Sequence, residues 1–217
     1  MSERRSSPMA RGRRVSAPKP ARALRSETLA RGMTVGLFGG TFDPPHEGHL
    51  HVAEAAKRRL GLDRIWWLVS PQNPLKQRRA GDLESRMAAV AAQANRPGMV
   101  VSDVEARLGS NRTIDLLNAL QHRYPGVHFV WLMGADNLKS FHRWGQWRQI
   151  FASVPIAVIS RPHDAVRARL APAVRMHANS RVREQGLATL PLKTAPAWTY
   201  LIEPLNWHSS SALRART

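Results

Sequence analysis

Gly39-Gly40-Thr41-Phe42-Asp43-Pro44-Pro45-His46-Glu47-Gly48-His49 follows the apolar run Val35 to Phe38, and the order of these residues decides the fold. The apolar run reads as a buried strand, the two glycines as a tight turn, and Pro44-Pro45 as a rigid lead into a helix beginning near His46. A helix N-terminus leaves N–H groups unpaired and carries a partial positive charge, which together favour a bound phosphate. His46 and His49 stand three residues apart and share one face of the first turn. Two imidazoles there can donate to the same polyphosphate. The segment lacks Gly-x-Gly-x-x-Gly and no Gly-Lys-Ser/Thr follows, so it is neither of the commoner glycine-rich phosphate loops. His51 adds a third imidazole nearby, but His-Glu-x-x-His is not formed, and no protein-held metal is expected.

Outward from this segment, short apolar runs alternate with stretches of helical periodicity. Strands are predicted near 34–38, 65–69, 99–102, 127–133, 154–160 and 199–203. Helices are predicted near 47–60, 82–95, 112–123, 145–152, 163–177 and 209–215, with a loop over 178–198. Such alternation implies a single α/β domain over 33–217, a doubly wound parallel sheet with ligands in the crevice at the carboxyl ends of its strands. A content of 43% hydrophobic residues suits a buried core, and no apolar run approaches the roughly 18 residues of a spanning helix.

Before Met33 the composition changes. Arg4, Arg5, Arg11, Arg13, Arg14, Lys19, Arg22, Arg25 and Arg31 face only Glu3 and Glu27, among Ser, Pro and Ala, which reads as a disordered basic arm over 1–32. A solubilising tail, a transit-type leader and a start at Met33 are all compatible with it. The net charge of +18 points to anionic partners without choosing among nucleic acid, acidic lipid and phosphorylated metabolites. The absence of cysteine excludes disulfides, thiolate metal sites and cysteine nucleophiles, and fits a reducing, cytoplasmic location.

Two further segments carry chemistry. His208-Ser209-Ser210-Ser211-Ala212-Leu213-Arg214 offers hydroxyls at a helix start with an arginine one turn on, which is either a second anion site or a capped, solvated helix. In the middle of the chain, Gly134-Ala135-Asp136-Asn137-Leu138 leads through Phe141-His142-Arg143 to Trp144 and Trp147. An aromatic on a loop can hold a flat, apolar ring by stacking. Two tryptophans at this spacing can equally be core, and Asp136 can be a helix cap.

Taken in order, Gly-x-Phe-Asp-Pro-x-His-x-Gly-His, the Gly-Ala-Asp…Trp-x-x-Trp region and the terminal Ser-Ser-Ser-x-Leu-Arg resemble the nicotinate-nucleotide adenylyltransferases of the His-x-Gly-His nucleotidyltransferase superfamily. The likeness covers nearly everything after Thr34. Ser70 to Lys76, Arg86-Met87 and Asn111 to Leu117 also agree. The resemblance implies a Rossmann-like fold and attack by the 5′-phosphate of nicotinate mononucleotide on the α-phosphorus of ATP, with Mg²⁺ arriving on the ATP phosphates. It implies His46, His49 and Arg214 as catalytic groups. Gly39, Gly40, Thr41, Phe42, Lys76, Ser210 and Ser211 become ATP or phosphate contacts, and Thr113, Gly134, Asp136 and Trp144 contacts to nicotinate mononucleotide. Lys76 has a solvated surface lysine as its other reading. Gly145 departs from the aromatic residue that many relatives carry there. The alternatives are the same chemistry on nicotinamide mononucleotide, phosphopantetheine or a cytidylyl acceptor, and a basic nucleic-acid-binding protein, for which no recognition motif is present.

Overall fold

The computed structural model describes residues 28–72, 75, 79–160 and 170–203. In chain order its elements are β1 (Thr34–Gly40), α1 (Glu47–Leu60), β2 (Arg64–Val69), α2 (Leu83–Gln93), β3 (Met99–Ser102), α3 (Val104–Leu108) and α4 (Thr113–Arg123). Then come β4 (His128–Gly134), α5 (Ala135–Phe141), α6 (Trp147–Ser153), β5 (Ile156–Ser160), α7 (Pro172–Met176), 3₁₀ turns at Ala178–Ser180 and Glu184–Leu192, and β6 (Trp198–Ile202). All six strands are parallel, in the order β3-β2-β1-β4-β5-β6.

The period-two alternation of the strands sorts their side chains into two cores. Val35, Leu37, Trp66, Leu68, Phe129, Trp131, Met133, Ile156 and Val158 face one side, where α4 and α6 cover them with Leu116, Leu117, Leu120, Ile150 and Phe151. Phe38, Ile65, Trp67, Val69, Val130, Leu132, Ala157 and Ile159 face the other, under Leu50, Ala53, Ala56 and Leu60 of α1 and Val90 of α2. Full burial of each large side chain removes about 1.5–3 kcal/mol worth of apolar surface from water. The small side chains of Ala53, Ala55 and Ala56, all buried, make up much of the face that α1 turns to the sheet.

Helix α1 is built to start and stop where it does. His46 is its N-cap, Glu47 sits in the first turn, and Lys57, Arg58 and Arg59 occupy the last, so charge opposes the helix dipole at both ends. Gly61, with φ of 63°, closes it by donating to the Lys57 carbonyl. Its last turn is also tied to the far edge of the sheet, where Arg58 and Arg59 pair with the buried Glu203.

Several expectations change. Gly39 and Gly40 are the last residues of β1, paired with Leu68 and Val69, and not the turn; the turn follows, with Phe42 at φ of 47°. The glycines are needed for space: a Cβ on Gly39 would lie 2.7 Å from the Trp131 ring, and one on Gly40 would lie 2.9 Å from the Phe42 ring. Helices α3 and α5 were not expected, being only five and seven residues long and so too short to show periodicity. The helix expected at 145–152 is α6, which starts at Trp147. Of the helix expected at 163–177, residues 161–169 lie outside the described residues and α7 fills 172–176; the loop expected over 178–198 contains the 3₁₀ turns. Residues 28–32, read as part of the arm, lie against the domain, where Leu29 packs on the core and Gly32 donates to the Gly126 carbonyl at 2.8 Å. The rest of the arm and the helix expected at 209–215 lie outside the described residues.

Replacing Gly39 by alanine is expected to lower stability by about 1–3 kcal/mol through overpacking against Trp131. Gly145→Ala, where nothing lies within 4 Å, should change it by less than about 0.5 kcal/mol. Urea midpoints of the two variants check this, and equal midpoints would refute the packing argument.

Candidate active site

The chain leaves β1 to build β2 and β3 on one side, then returns to place β4 on the other. The segments that follow β1 and β4 therefore diverge and open a crevice at the carboxyl ends of the strands. A cavity of about 690 Å³ fills it, lined by Gly39 to Pro44, His46, Gly48, His49 and His51 on one wall and by Thr113, Gly134 to Asn137 and Arg143 to Gly145 on the other. Ser70, Glu105, Asn111 and Arg112 line the β2–β3 end, and Ile159 and Ser160 the β5 end.

His46 and His49 are oriented by the backbone they cap. The Nδ1 of His46 accepts from the Gly48 N–H at 3.2 Å, and the Nδ1 of His49 accepts from the His46 N–H at 3.2 Å. This is a capping box made of two imidazoles. Because Nδ1 is the acceptor in each, the neutral rings carry their proton on Nε2. The rings stack with centroids 3.8 Å apart and 26° between planes. Phe42, buried in the turn, meets His49 edge to face at 5.1 Å.

Arg86 of α2 fixes the loops around these groups. Its buried guanidinium donates to the carbonyls of Thr41 and Ser70, both at 2.8 Å, of Gly81 at 2.9 Å and of Pro71 at 3.2 Å. A buried cation is costly unless its hydrogen bonds are made, and here they hold the turn after β1, the end of β2 and the lead into α2 as one piece. Asp43 adds a second tie by accepting from the Gly81 N–H at 3.1 Å.

On the opposite wall, Thr113 is the first residue of α4 and half-buried. Trp144 is half-buried, lines the cavity, and is held edge-on by Trp131 at 6.1 Å and Phe141 at 5.2 Å. Trp147, by contrast, is buried in the core. Asp136 is exposed in the first turn of α5, whose cap is Gly134, so it is not the cap residue. The site residues Gly39, Gly40, Thr41, Phe42, His46, His49, Thr113, Gly134, Asp136 and Trp144 thus line one cavity. Lys76, Ser210, Ser211, Arg214 and also Arg161 lie outside the described residues.

Residues 37–216 match the family model described as cytidylyltransferase-like, which puts the chain in that class of nucleotidyltransferases. It is 58% identical over 185 residues to a protein of Caulobacter sp. (strain K31) named "probable nicotinate-nucleotide adenylyltransferase", across 85% of this chain and 98% of that one. A protein of Cereibacter sphaeroides (strain ATCC 17025 / ATH 2.4.3) with the same name is 51% identical over 183 residues, across 84% and 97%. The chain belongs to the nicotinate-nucleotide adenylyltransferase family. Its fold is that of a Plasmodium falciparum nicotinic acid mononucleotide adenylyltransferase complexed with NaAD, with a TM-score of 0.60 at 18% identity over 85% of this chain and 82% of that one.

Sequence reasoning left Glu105 without a role. A lone glutamate after a strand reads as an ordinary first-turn residue, and only the fold turns it into the cavity. Glu105 is 5% exposed, and burial pushes its carboxyl up to about 7, against a smaller opposing effect of the hydrogen bond with the Ser70 side chain. Since the folded pKa lies above the ordinary carboxylate value of 4.5, the folded chain holds the extra proton between the two. The resulting stability is fully present below 4.5 and lost as pH rises through about 7. Glu105→Gln cannot titrate, so the stability of the wild type relative to this variant should fall by on the order of 3 kcal/mol between pH 4.5 and 8. Denaturant melts across that range check the sign, and parallel curves for the two proteins would refute it.

Proposed function

We propose that this crevice transfers an adenylyl group from ATP to nicotinate mononucleotide, giving nicotinate adenine dinucleotide and pyrophosphate, a step of NAD biosynthesis. The observation that carries the reading is the pair of stacked, backbone-locked imidazoles at the start of a 14-residue helix, facing Thr113 and Trp144 across one cavity. The relatives' names point the same way.

The acceptor's phosphate is already anionic at neutral pH, so the chemistry needs neither a protein nucleophile nor a general base. It needs two anions brought into line and the charge on the triphosphate offset. Positioning of this kind is worth roughly 7–11 kcal/mol. In this reading His46 and His49 donate through Nε2 to the reacting phosphates, and the N-terminus of α1 adds the positive end of its dipole. The glycines Gly39 and Gly40 let the phosphates approach the backbone, with Thr41 and Phe42 shaping the turn. Trp144 stacks on the pyridine, Thr113 takes its carboxylate, and Gly134 and Asp136 meet a ribose. Lys76, Ser210, Ser211 and Arg214 hold the triphosphate and the leaving pyrophosphate. The reaction suits the cytoplasm.

Mg²⁺ arrives in this reading on the ATP, kept by phosphate oxygens and water. Such an ion offsets negative charge on the triphosphate when bound. The protein residues act around it by orienting the phosphate oxygens that carry it.

His49→Ala is expected to lower turnover by about 10²–10³-fold, the usual effect of losing one preorganised donor. Its affinity for nicotinate mononucleotide should change much less. Steady-state kinetics with ATP against nicotinate mononucleotide, nicotinamide mononucleotide and phosphopantetheine test both points. Wild-type turnover in the variant would remove the role of His49, and preference for another acceptor would remove the substrate.

A further inference from the structure

A chain of hydrogen bonds runs from the phosphate turn to the start of α4, and Glu105 is its middle member. The Gly40 carbonyl accepts from the Ser70 N–H at 2.9 Å, and the Ser70 hydroxyl, which donates to the Gln72 carbonyl at 3.3 Å, lies within reach of the Glu105 carboxyl. The Glu105 carbonyl accepts from the Ser110 N–H at 3.4 Å. Ser110 Oγ then accepts from the Arg112 N–H at 3.2 Å and donates to Asp115 at 2.7 Å, two residues that stand on either side of Thr113 in the chain. One end is the turn read above as meeting phosphate, and the other is the residue read as meeting the pyridine carboxylate. An acceptor mononucleotide laid between the same two ends puts its ribose against the middle.

The chemistry of the ligand narrows what a carboxylate can be doing there. The phosphate and the pyridine carboxylate are anions at neutral pH and would be repelled by Glu105 in its ionised form, which fills as pH rises through about 7. The acceptor's only O–H donors toward a neighbouring acid are the hydroxyls of its ribose. An ionised carboxylate only accepts, and Ser70 leaves it lone pairs for two further donors. Among the described residues Glu105 is the one acid that is both buried and cavity-lining; Asp43 and Asp136 line the cavity but are not buried. A buried acid exchanges fewer of its hydrogen bonds with water, so donor hydroxyls gain more there.

Resting on the substrate reading above, we propose that Glu105 binds the ribose diol of the acceptor mononucleotide and so fixes the sugar between the phosphate turn and the pyridine pocket. The contact sets where the attacking phosphate lies, because the sugar carries it.

The test is a substrate–variant cycle. Wild type and Glu105→Gln are assayed with nicotinate mononucleotide and with its 2′-deoxy and 3′-deoxy analogues, at saturating ATP and then with ATP varied. Removing the hydroxyl that Glu105 receives should cost the wild type about 10- to 100-fold in kcat/KM. Glu105→Gln should lose a comparable factor on the full substrate, mostly through the acceptor's KM, and little more on that analogue, because the contact is already gone. Its KM for ATP should stay within about twofold of the wild type's. Independent, multiplying losses would overturn the proposal, as would a rise in the KM for ATP. Should Glu105→Gln not fold, the wild type alone decides, since indifference to both deoxy analogues overturns it. If the wild type turned over a different acceptor instead, the substrate reading would fall first; a wild type active on nicotinate mononucleotide with multiplying losses sinks only the role of Glu105.

Discussion

The guanidinium of Arg86 is the interaction on which the geometry of the crevice depends. A charge placed in the interior must be hydrogen-bonded or it destabilises the fold, and Arg86 resolves this with the carbonyls of Thr41, Ser70, Pro71 and Gly81. Each carbonyl comes from a segment outside the strands and helices. The planar fork of arginine can reach several acceptors at fixed angles, which a lysine ammonium cannot imitate. The turn after β1 and the end of β2 are thereby held in register beyond the point where the sheet stops. His46 and His49 start from that turn, so their placement follows from a residue on a different helix.

The two walls of the crevice work by different means. On the α1 side, the two imidazoles are fixed by capping bonds to the backbone. On the α4 and α5 side, Trp144 is braced by Trp131 and Phe141. Trp131 serves both walls, since the ring that meets Trp144 also fills the space that a Cβ on Gly39 would need. Trp144 and the end of β1 are thus coupled through one buried indole.

How much of this could be read in the sequence depended on the length of the signal. The strands and the longer helices were visible because their periodicity runs over many residues, and the ordered string from Gly39 to His49 named its chemistry. Helices α3 and α5 were hidden by brevity. Gly39 and Gly40 were misread as a turn, since glycine marks both positive φ and close packing, and a sequence does not say which. Trp147 and Trp144 share the same residue type three apart, and only burial separates the core residue from the cavity-lining one. Arg86 stood in a matching position but nothing local told that its partners would be backbone carbonyls. Glu105 was silent because its meaning lies in Ser70, far away along the chain and adjacent only once β2 and β3 are aligned.

The position of β1 at the centre of the sheet has a consequence for how the molecule is assembled. β1 pairs with β2, its near neighbour in sequence, and with β4, which is reached only after two more strands and four helices. The crevice lies at the second of these pairings, so a chain that has folded only through β3 has the imidazole pair but no opposite wall. Loop closure must be completed before distant contacts reward it, which makes such pairings late and slow events. A nucleotide that bridges the two walls therefore binds only the finished sheet, and its presence shifts the balance between folded and unfolded chains by mass action. The abundance of the folded protein and the supply of its substrates are in this way linked.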